Sequence, residues 1–427
     1  MKLIIEKSVY GGAGLARSEG KVIFVPFTLP GETVEAEITN DRGGYAEAEL
    51  INVLEPSPER VSPPCSYFGE CGGCHYQHAT YVQQLEIKRQ ILRESLERAH
   101  LPTSPEIATL SAATLNYRNR ARFHVDRAMS RLCYKKRGSH ANLAIDACPI
   151  SAPLIEQALQ LLNAHGRQWQ IGNLFDEAEF FTKADQSEML LTLWTRLNAK
   201  AAQSALEKLW PALRSEMPQL LGAVAFSLER GNRRPVRVAS VGSQSLTYNA
   251  AGQSYRVSIA SFFQVNRHLI DPLAELVTRD ASGKLAWDLY AGVGLFARQL
   301  LSSFDEVVAV ESAPSSVQDM RHNLSAQNSR YAASSTLDFL KRAQSPGEQK
   351  PDYVIVDPPR AGLGKEVTTL LGKLRPAHIT YVSCDPATLS RDLKSLLDSG
   401  YSLRQLHMVD MFPQTFHLES VAKLSLE

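Results

Sequence analysis

The sequence predicts an α/β protein that begins with a small β-barrel, continues through a middle α+β domain and ends in a doubly wound, Rossmann-like domain. Two observations carry this prediction. Residues before about 54 alternate apolar and polar positions between turn glycines, and short apolar runs recur from about residue 255 onward, as buried parallel strands do. Because 427 residues exceed what one hydrophobic core usually serves, we expect separate domains over 1–54, 62–250 and 251–427.

The individual elements follow from local patterns along the chain. In the first domain, Lys21–Pro26 and residues 33–38 alternate as strands do, and a stretch rich in proline and serine then indicates a linker. Between residues 80 and 100 apolar side chains recur at helical spacing. The parallel strands of the last domain are predicted from four apolar runs, at 285–289, 307–310, 353–356 and 379–382.

Composition and charge are those of an ordinary folded protein, with 44% hydrophobic residues, 21% charged residues and a net charge of +1. No apolar run approaches the roughly 18 to 20 residues that cross a bilayer. The N-terminus becomes charged too soon for a signal peptide. We therefore expect a cytoplasmic protein that does not bind membranes.

One segment departs from this even distribution of charge. Between Tyr117 and Arg137, eight lysines and arginines stand against a single acid, Asp126. Such a cluster is expected where a protein contacts the phosphates of a nucleic acid. The candidates for this contact are Arg118, Arg120 and Arg122.

A glycine-containing turn follows the first strand of the last domain. Gly292 and Gly294 allow the backbone to turn tightly and to approach a ligand closely. The next strand ends about 20 residues later in Glu311, the reach expected for a ribose diol, and a third strand ends at Asp357. Ligands of doubly wound sheets bind beyond the carboxyl ends of the strands, so we predict a site for a cofactor with a ribose diol here.

A thiol and a carboxylate are predicted beside this site. Cys384 follows the next apolar run, and Glu419 lies near the C-terminus. This pair suits methylation of a carbon that is a poor nucleophile, such as carbon 5 of uracil. A thiolate adds to carbon 6, carbon 5 then takes the methyl group, and a base removes the carbon-5 proton. We predict that Cys384 is the nucleophile and Glu419 the base. Asp385 is expected to raise the thiol pKa modestly, and His417 to pack on the strand of Glu419.

Four of the six cysteines form a pattern typical of metal ligation. Cys65, Cys71 and Cys74 lie close together in a glycine-rich turn, and Cys148 stands far downstream before a proline. Four thiolates suit a tetrahedral zinc ion or an iron–sulfur cluster, and spacing alone does not decide between them. The cysteine–proline pair favours iron weakly. For Cys133 we predict a packing role.

With these residues in place, the chain resembles the RNA 5-methyluridine (uracil-C5) methyltransferase family over essentially its whole length. The resemblance implies an RNA-binding TRAM barrel at the N-terminus and a [4Fe-4S] cluster held by the four cysteines. It also implies that Gln264 and Tyr290 contact S-adenosylmethionine, and that Cys384 and Glu419 are nucleophile and base. A TRAM barrel together with a cluster favours 23S ribosomal RNA as the substrate, with a transfer RNA uridine as the alternative. We expect a monomer.

Two other reaction classes match single features of the chain. Asp357 and the two prolines after it resemble an amine methyltransferase motif, but Arg360 stands where those enzymes carry an aromatic residue. A radical methylthiotransferase also joins a TRAM barrel to an iron–sulfur cluster. Its C-x3-C-x2-C spacing differs from that of Cys65, Cys71 and Cys74.

Overall fold

The computed structural model describes residues 1–101, 105–227, 235–345, 347 and 349–427. Its strands form a six-stranded, a seven-stranded and an eight-stranded sheet together with a two-stranded hairpin. Among the helices of these residues, none is long and apolar enough to span a membrane.

The N-terminal sheet contains β1 (Lys2–Ile4), β2 (Lys7–Ser8), β3 (Ala13–Ser18), β4 (Lys21–Pro26), β5 (Thr33–Asp41) and β6 (Tyr45–Glu55). Its strand order is β1-β5-β6-β4-β3-β2. Strands β1 and β2 are consecutive parts of one segment, and they pair with opposite edges of the sheet, β1 with β5 and β2 with β3. This pairing closes the sheet into the predicted barrel. Because apolar and polar residues alternate, Ile23, Val25 and Val34 point inward and form part of a small apolar core.

Helix α1 (Tyr81–Arg98) and strand β7 (Ile107–Leu110) follow the linker. The side chain of Thr80 caps the helix by accepting the N–H of Gln83. Both elements lie inside the range 62–250, but their apolar residues belong to a core cluster of the C-terminal sheet. The chain therefore contributes to its last sheet before it builds the middle one.

The middle sheet has the strand order β10-β9-β8-β11-β12-β13-β14, and its strands are antiparallel except for the pair β12 and β13. Every residue of β12 is buried, as expected for a central strand, and helices cover the sheet. The elements are β8 (Arg120–Asp126), β9 (Arg131–Lys135), β10 (Asn142–Ala144), α2 (Pro153–His165), α3 (Ile171–Leu174), β11 (Glu177–Thr182), β12 (Met189–Thr195), α4 (Ala199–Glu216), β13 (Leu220–Ser227) and β14 (Val236–Gly242).

The C-terminal part begins with a hairpin and continues as alternating helices and strands. Its elements are β15 (Ser245–Ala250), β16 (Gln253–Ser258), α5 (Ile270–Thr278), β17 (Gly283–Leu289), α6 (Leu295–Leu300), β18 (Phe304–Glu311), α7 (Pro314–Asn323), β19 (Ser329–Ala333), α8 (Thr336–Arg342), β20 (Tyr353–Val356), α9 (Gly364–Leu374), β21 (His378–Ser383), α10 (Pro386–Leu397), β22 (Tyr401–Val409) and β23 (Glu419–Leu426). The four strands predicted from apolar runs are confirmed as β17, β18, β20 and β21.

The topology of this sheet determines where the candidate site lies. Its strand order is β19-β18-β17-β20-β21-β23-β22-β7, and β17, β18, β20 and β21 run parallel. Their carboxyl ends therefore meet at one edge, where Glu311, Asp357 and Cys384 leave the sheet. Strand β23 runs antiparallel to β21, so its first residue, Glu419, starts at the same edge.

Candidate active site

The turn after β17 has the conformation that its glycines suggest. Tyr290, Gly292 and Gly294 all have positive φ, at 66°, 56° and 88°. A Cβ added at Gly292 would meet no atom within 4 Å, so there is open space above this residue. The Glu311 carboxylate accepts the N–H of Gly292 at 2.9 Å and the N–H groups of the two residues after Glu311 at 2.6 and 2.7 Å. These hydrogen bonds hold the Gly292 turn and Glu311 together beside the open space.

A buried carboxylate that the sequence analysis missed lies under the same turn. Asp288 is fully buried, and its Oδ2 accepts the N–H of Ala297 at 2.8 Å. Its Oδ1 has no hydrogen-bond partner among the described residues. Burial, followed by the charges of Asp357 and Glu311, raises the pKa of Asp288 to about 8. Asp288, Asp357 and Glu311 together make this edge of the sheet strongly acidic, which suits a cationic ligand.

Gln264 lies on a segment that polar contacts fix against this edge. It is 8% exposed, and its carbonyl accepts the side-chain amide of Asn119 at 3.1 Å. Ser261 donates to Asp319, a fully buried acid on α7, at 2.6 Å. Between them Phe262 is 62% exposed, whereas large apolar side chains are more often buried. Neither Asp319 nor Phe262 could be singled out from the sequence, since their significance depends on this fold.

The register between β21 and β23 brings the predicted thiol and carboxylate together. Ser383 pairs with Ser420, whose hydroxyl donates to the Ser383 carbonyl at 3.2 Å. Cys384 and Glu419 are the next residues outward on the two strands, so they lie side by side. Glu419 is 6% exposed, and burial together with the charge of Asp357 raises its pKa well above the usual range.

The thiol of Cys384 is protonated at neutral pH in this environment. Burial raises its pKa to about 12, and the charges of Glu419 and Asp357 add to the rise, whereas Arg360 opposes it. The expectation for Asp385 needs adjustment, because its carboxylate instead caps α10 by accepting two N–H groups at 3.1 and 2.9 Å. The acids that act on the thiol come from neighbouring strands.

Residues 410–418, which connect β22 to Glu419, are held from several sides. Lys88 of α1 donates to the Asp410 carboxylate at 2.5 Å, and both side chains are fully buried. The carbonyl of Gln414 accepts the N–H groups of His75 and Tyr76, directly after Cys74, at 2.8 and 3.0 Å. The loop that presents Glu419 is therefore anchored to the cysteine-containing segment.

His417 lies in this loop and not on the strand that we predicted for it. Its ring stacks at a tilt on Phe416, with centroids 4.1 Å apart, and its Nδ1 lies 3.4 Å from the guanidinium of Arg360. Burial, with Arg360 as the nearest charge, lowers its pKa to about 4. The expected packing role therefore remains, with different neighbours.

The four predicted ligand cysteines line one cavity of about 260 Å³. Cys71 Sγ accepts the N–H of Gly73 at 3.4 Å, and Tyr134 donates to Cys148 Sγ at 3.8 Å. Burial raises the thiol pKa of Cys65, Cys71 and Cys74, the last to about 12. Across the described ranges, no group of three or more His, Cys, Asp or Glu side chains is arranged to hold a single metal ion.

Acids pair with four of the eight basic side chains of the predicted cluster, Arg122, Arg127, Arg131 and Lys136. Arg122 pairs with Glu177 and Glu179 of β11 and stacks over Trp194 at 3.8 Å. Arg118 lines the cysteine cavity. Arg120 donates to the Ser261 carbonyl at 2.8 Å, and its Nε and Nη2 are buried without a partner in the described part of the chain. Arg118 and Arg120 both border the Gln264 segment, Arg118 through a backbone bridge to Asn266 and Arg120 through Ser261.

Comparisons with known proteins agree with this geometry. A family model described as tRNA (uracil-5-)-methyltransferase matches residues 80–335 and 346–426, and a TRAM domain model matches residues 2–51. An uncharacterized RNA methyltransferase of Aquifex aeolicus is 33% identical over 433 residues, which cover 100% of this chain and 99% of the relative. The 23S rRNA (uracil(1939)-C(5))-methyltransferase RlmD of Shewanella amazonensis is 34% identical, with 99% of this chain and 95% of the relative covered.

One solved structure matches the whole fold. It is the tRNA (uracil-54, C5)-methyltransferase of Pyrococcus abyssi in complex with S-adenosyl-L-homocysteine, with a TM-score of 0.79. The match covers 99% of this chain and 100% of that one at 23% sequence identity. At this identity the likeness concerns the fold, including the predicted S-adenosylmethionine methyltransferase architecture.

Proposed function

Because the chain belongs to the tRNA (uracil-5-)-methyltransferase family, we propose that it methylates carbon 5 of one uridine in 23S ribosomal RNA through a covalent Cys384 adduct. Membership makes it an S-adenosylmethionine-dependent RNA (uracil-5-)-methyltransferase with a TRAM domain. The ribosomal substrate is favoured because a relative that covers nearly the whole chain carries that activity in its name. A transfer RNA uridine is the second candidate, since the matching solved structure is a transfer RNA enzyme. Family membership leaves the amine methyltransferase and radical methylthiotransferase alternatives without support. We infer that the protein acts as a monomer.

The observation that carries the proposal is the pairing of β21 with β23. This register sets Cys384 beside Glu419 at the acidic strand edge that also holds Asp357. A pyrimidine ring that enters between the thiol and the carboxylate can be attacked at carbon 6 and deprotonated at carbon 5 without moving. Methylation of an exocyclic amine would require neither group.

Each residue has a defined task in this chemistry. The thiol of Cys384 releases its proton to solvent, its sulfur bonds to carbon 6, and the electron pair of the ring double bond moves onto carbon 5 and the adjoining carbonyl. Carbon 5 then uses this electron pair to take the methyl group. When bound, S-adenosylmethionine supplies an electrophilic methyl group on a positively charged sulfur, which also lowers the pKa of a nearby thiol. Glu419 then takes the carbon-5 proton, the carbon–sulfur bond breaks, and the double bond returns.

The residues of the turn region fit S-adenosylmethionine. The space above Gly292 leaves room for the ligand, and Glu311 is oriented by three backbone N–H groups. Asp288, with its unpartnered Oδ1, and Asp357 have raised pKa values in the cofactor-free protein, and a bound sulfonium and ammonium group would lower these pKa values and favour the complementary carboxylates. We propose that Gln264, Tyr290, Gly292, Gly294, Glu311 and Asp357 bind the cofactor.

The four cysteines that line this cavity are a donor set that fits a [4Fe-4S] cluster, and tetrahedral zinc takes four thiolates as well. The resemblance to the RNA 5-methyluridine methyltransferase family favours the cluster. We propose that Cys65, Cys71, Cys74 and Cys148 ligate a cluster whose role is structural.

RNA binding is proposed for Arg118, Arg120 and Arg122. Arg120 is bonded to the Ser261 carbonyl, and the next residue, Phe262, exposes a ring that offers a stacking surface for a nucleotide that has left its helix. Extruding the uridine costs on the order of a few kcal/mol, which such contacts repay.

Two experiments test the proposal. Mapping 5-methyluridine in RNA from cells with and without the protein identifies the substrate, and loss of one 23S rRNA signal is the expected result. The variant Glu419→Gln should accumulate a protein–RNA adduct that survives denaturation, because the second half of the reaction is blocked. The double variant with Cys384→Ala is its matched control and should form no adduct. Normal turnover by Glu419→Gln would refute the role of this base.

A further inference from the structure

The barrel contacts the loop of residues 410–418, which leads to Glu419, through the turn between β2 and β3. Gly11 and Gly12 in this turn have φ of 105° and 92°. A Cβ at Gly12 would lie 2.9 Å from the Cβ of His75, which is closer than side chains normally approach. His75 in turn packs on Phe416 with ring centroids 4.7 Å apart. The turn is therefore seated directly on the loop that leads to Glu419.

Tyr10 extends from this turn toward the reacting residues. Its ring meets Phe416 edge-on, with centroids 5.3 Å apart. Its hydroxyl faces Asp385, Arg360 and Cys384, and burial together with the Asp385 charge raises its pKa to about 12. Tyr10 is only partly buried, so part of its ring remains accessible beside the thiol. A residue of the barrel thus borders the pocket in which Cys384 would meet its substrate.

Tyr10 also lines a groove on the barrel. The groove has a volume of about 720 Å³ and is lined by the edge-to-face pair Phe24 and Tyr45, whose centroids are 5.6 Å apart. Arg98 and Arg137 line it as well, and neither is a barrel residue. Aromatic rings together with arginines are the combination that binds single-stranded RNA, through base stacking and phosphate contact. Glu47 and Glu49 also line the groove and disfavour phosphates on their side.

We propose that Tyr10 packs against the nucleotide next to the target uridine, and that the barrel groove carries the single strand that continues from it. The barrel then supplies a positioning residue to the active site besides general affinity for RNA. This inference rests on the proposed uridine methylation. It predicts that the ring of Tyr10, and not its hydroxyl, contributes to catalysis.

The test compares Tyr10→Ala, Tyr10→Phe and wild type on a synthetic RNA that spans the mapped uridine. Tyr10→Ala should lower kcat/KM by about tenfold to a hundredfold, mainly through KM, which is the scale of one lost base–aromatic contact. Tyr10→Phe should stay within about twofold of wild type. The matched control Tyr331→Ala, which removes another exposed tyrosine on the distant strand β19, should not change kcat/KM.

A series of modified substrates distinguishes the loss of an RNA contact from a folding defect in Tyr10→Ala. Each nucleotide next to the target is replaced in turn by an abasic ribose, and the penalty is measured with wild type and with Tyr10→Ala. At one flanking position the two losses should not add, because both remove the same contact. If the losses add at every position, or if Tyr10→Ala equals wild type, the inference is wrong.

Two further results complete the test. If Tyr10→Ala fails to fold, the variant Tyr10→Leu takes its place in the same abasic series, because leucine preserves apolar packing on Phe416. If wild type methylates none of the RNAs, the proposed function fails. That outcome differs from an active wild type without coupling, which overturns only the role of Tyr10.

Discussion

The site of Cys384 and the cavity of the four cysteines place the same side chain in opposite electrostatic settings. In both places burial raises the thiol pKa. Around Cys384 the nearest charged groups are the carboxylates of Glu419 and Asp357, with Arg360 opposing them. Around the four cysteines the neighbours are N–H and hydroxyl donors and the guanidinium of Arg118.

If the proposed roles are right, this difference would separate a thiol that reacts from thiols that ligate a metal. A thiol beside proton-holding carboxylates keeps its proton until a cationic ligand arrives, so it can form and break a carbon–sulfur bond in turn. Thiols that share one cavity with hydrogen-bond donors are suited to permanent deprotonation by metal.

The largest effect is expected for Cys384→Ala. Without the sulfur, methyl transfer to RNA should fall by at least about a thousandfold, because carbon 5 is no longer activated. Transfer of labelled methyl groups measures this loss. Iron content and melting temperature should equal those of wild type, and undiminished transfer would eliminate the covalent route.

The next effect is expected at the other site. Cys74→Ser should lose the iron and acid-labile sulfide of the purified protein and lower its melting temperature, since the cavity loses a ligand. Cys133→Ser is the control, because Cys133 is a buried cysteine that donates to the His124 carbonyl and does not line the cavity. A well-folded, RNA-binding but inactive Cys74→Ser would indicate a redox role.

The reaction rate should depend strongly on pH. Because the pKa of Cys384 is raised to about 12, the thiolate fraction grows about tenfold per pH unit between pH 6 and 9. We expect kcat/KM to rise with a slope close to one on logarithmic axes, measured with constant ionic strength. A plateau that begins at pH 6 would mean that the free enzyme already holds a thiolate.

The stability of the cofactor-free protein should change in the opposite direction. The pKa values of Asp288 and Asp357 are raised to about 8 and about 7, so the folded chain holds protons that the unfolded chain releases above about pH 4. Raising the pH through 7 and 8 removes this stabilisation. The melting temperature should therefore be lower at pH 9 than at pH 6, and Asp288→Asn should weaken the trend.

The smallest effect is expected for Asp385→Asn. Asparagine caps a helix as well as aspartate does, so α10 should remain intact. The rate of methyl transfer should rise by less than about threefold, because the acids that act on the thiol are Glu419 and Asp357. A large increase would show that Asp385 also controls the nucleophile.

Much of the C-terminal fold could be predicted because short runs of neighbouring residues in the sequence determine its strands. Apolar runs mark β17, β18, β20 and β21, and the residue at each strand end is readable from the chain. The buried acid Asp288 sits inside such a run, and its place before the glycines was a signal that could have been used. The roles proposed for these residues remain predictions.

Other features depend on pairs of residues that are distant in sequence. The sequence around the basic cluster contains almost no acids, because acidic partners such as Glu177, which pairs with Arg122, lie on another strand. The buried pair of Lys88 and Asp410 joins residues more than 300 positions apart. Tyr10 was likewise invisible, because only the docking of the barrel brings it near Cys384.

Strand β7 determines which fragments of this chain can be expressed as folded proteins. Ile107 pairs with Leu406 across nearly 300 residues, and α1 packs beside it. Closing so long a loop is slow compared with local pairing, so the last sheet should be completed late in folding. A fragment that starts at residue 251 would leave β22 as an open edge and uncover apolar surface beneath α1, which favours aggregation. Recombinant work on the methyltransferase half should therefore retain residues 80–110.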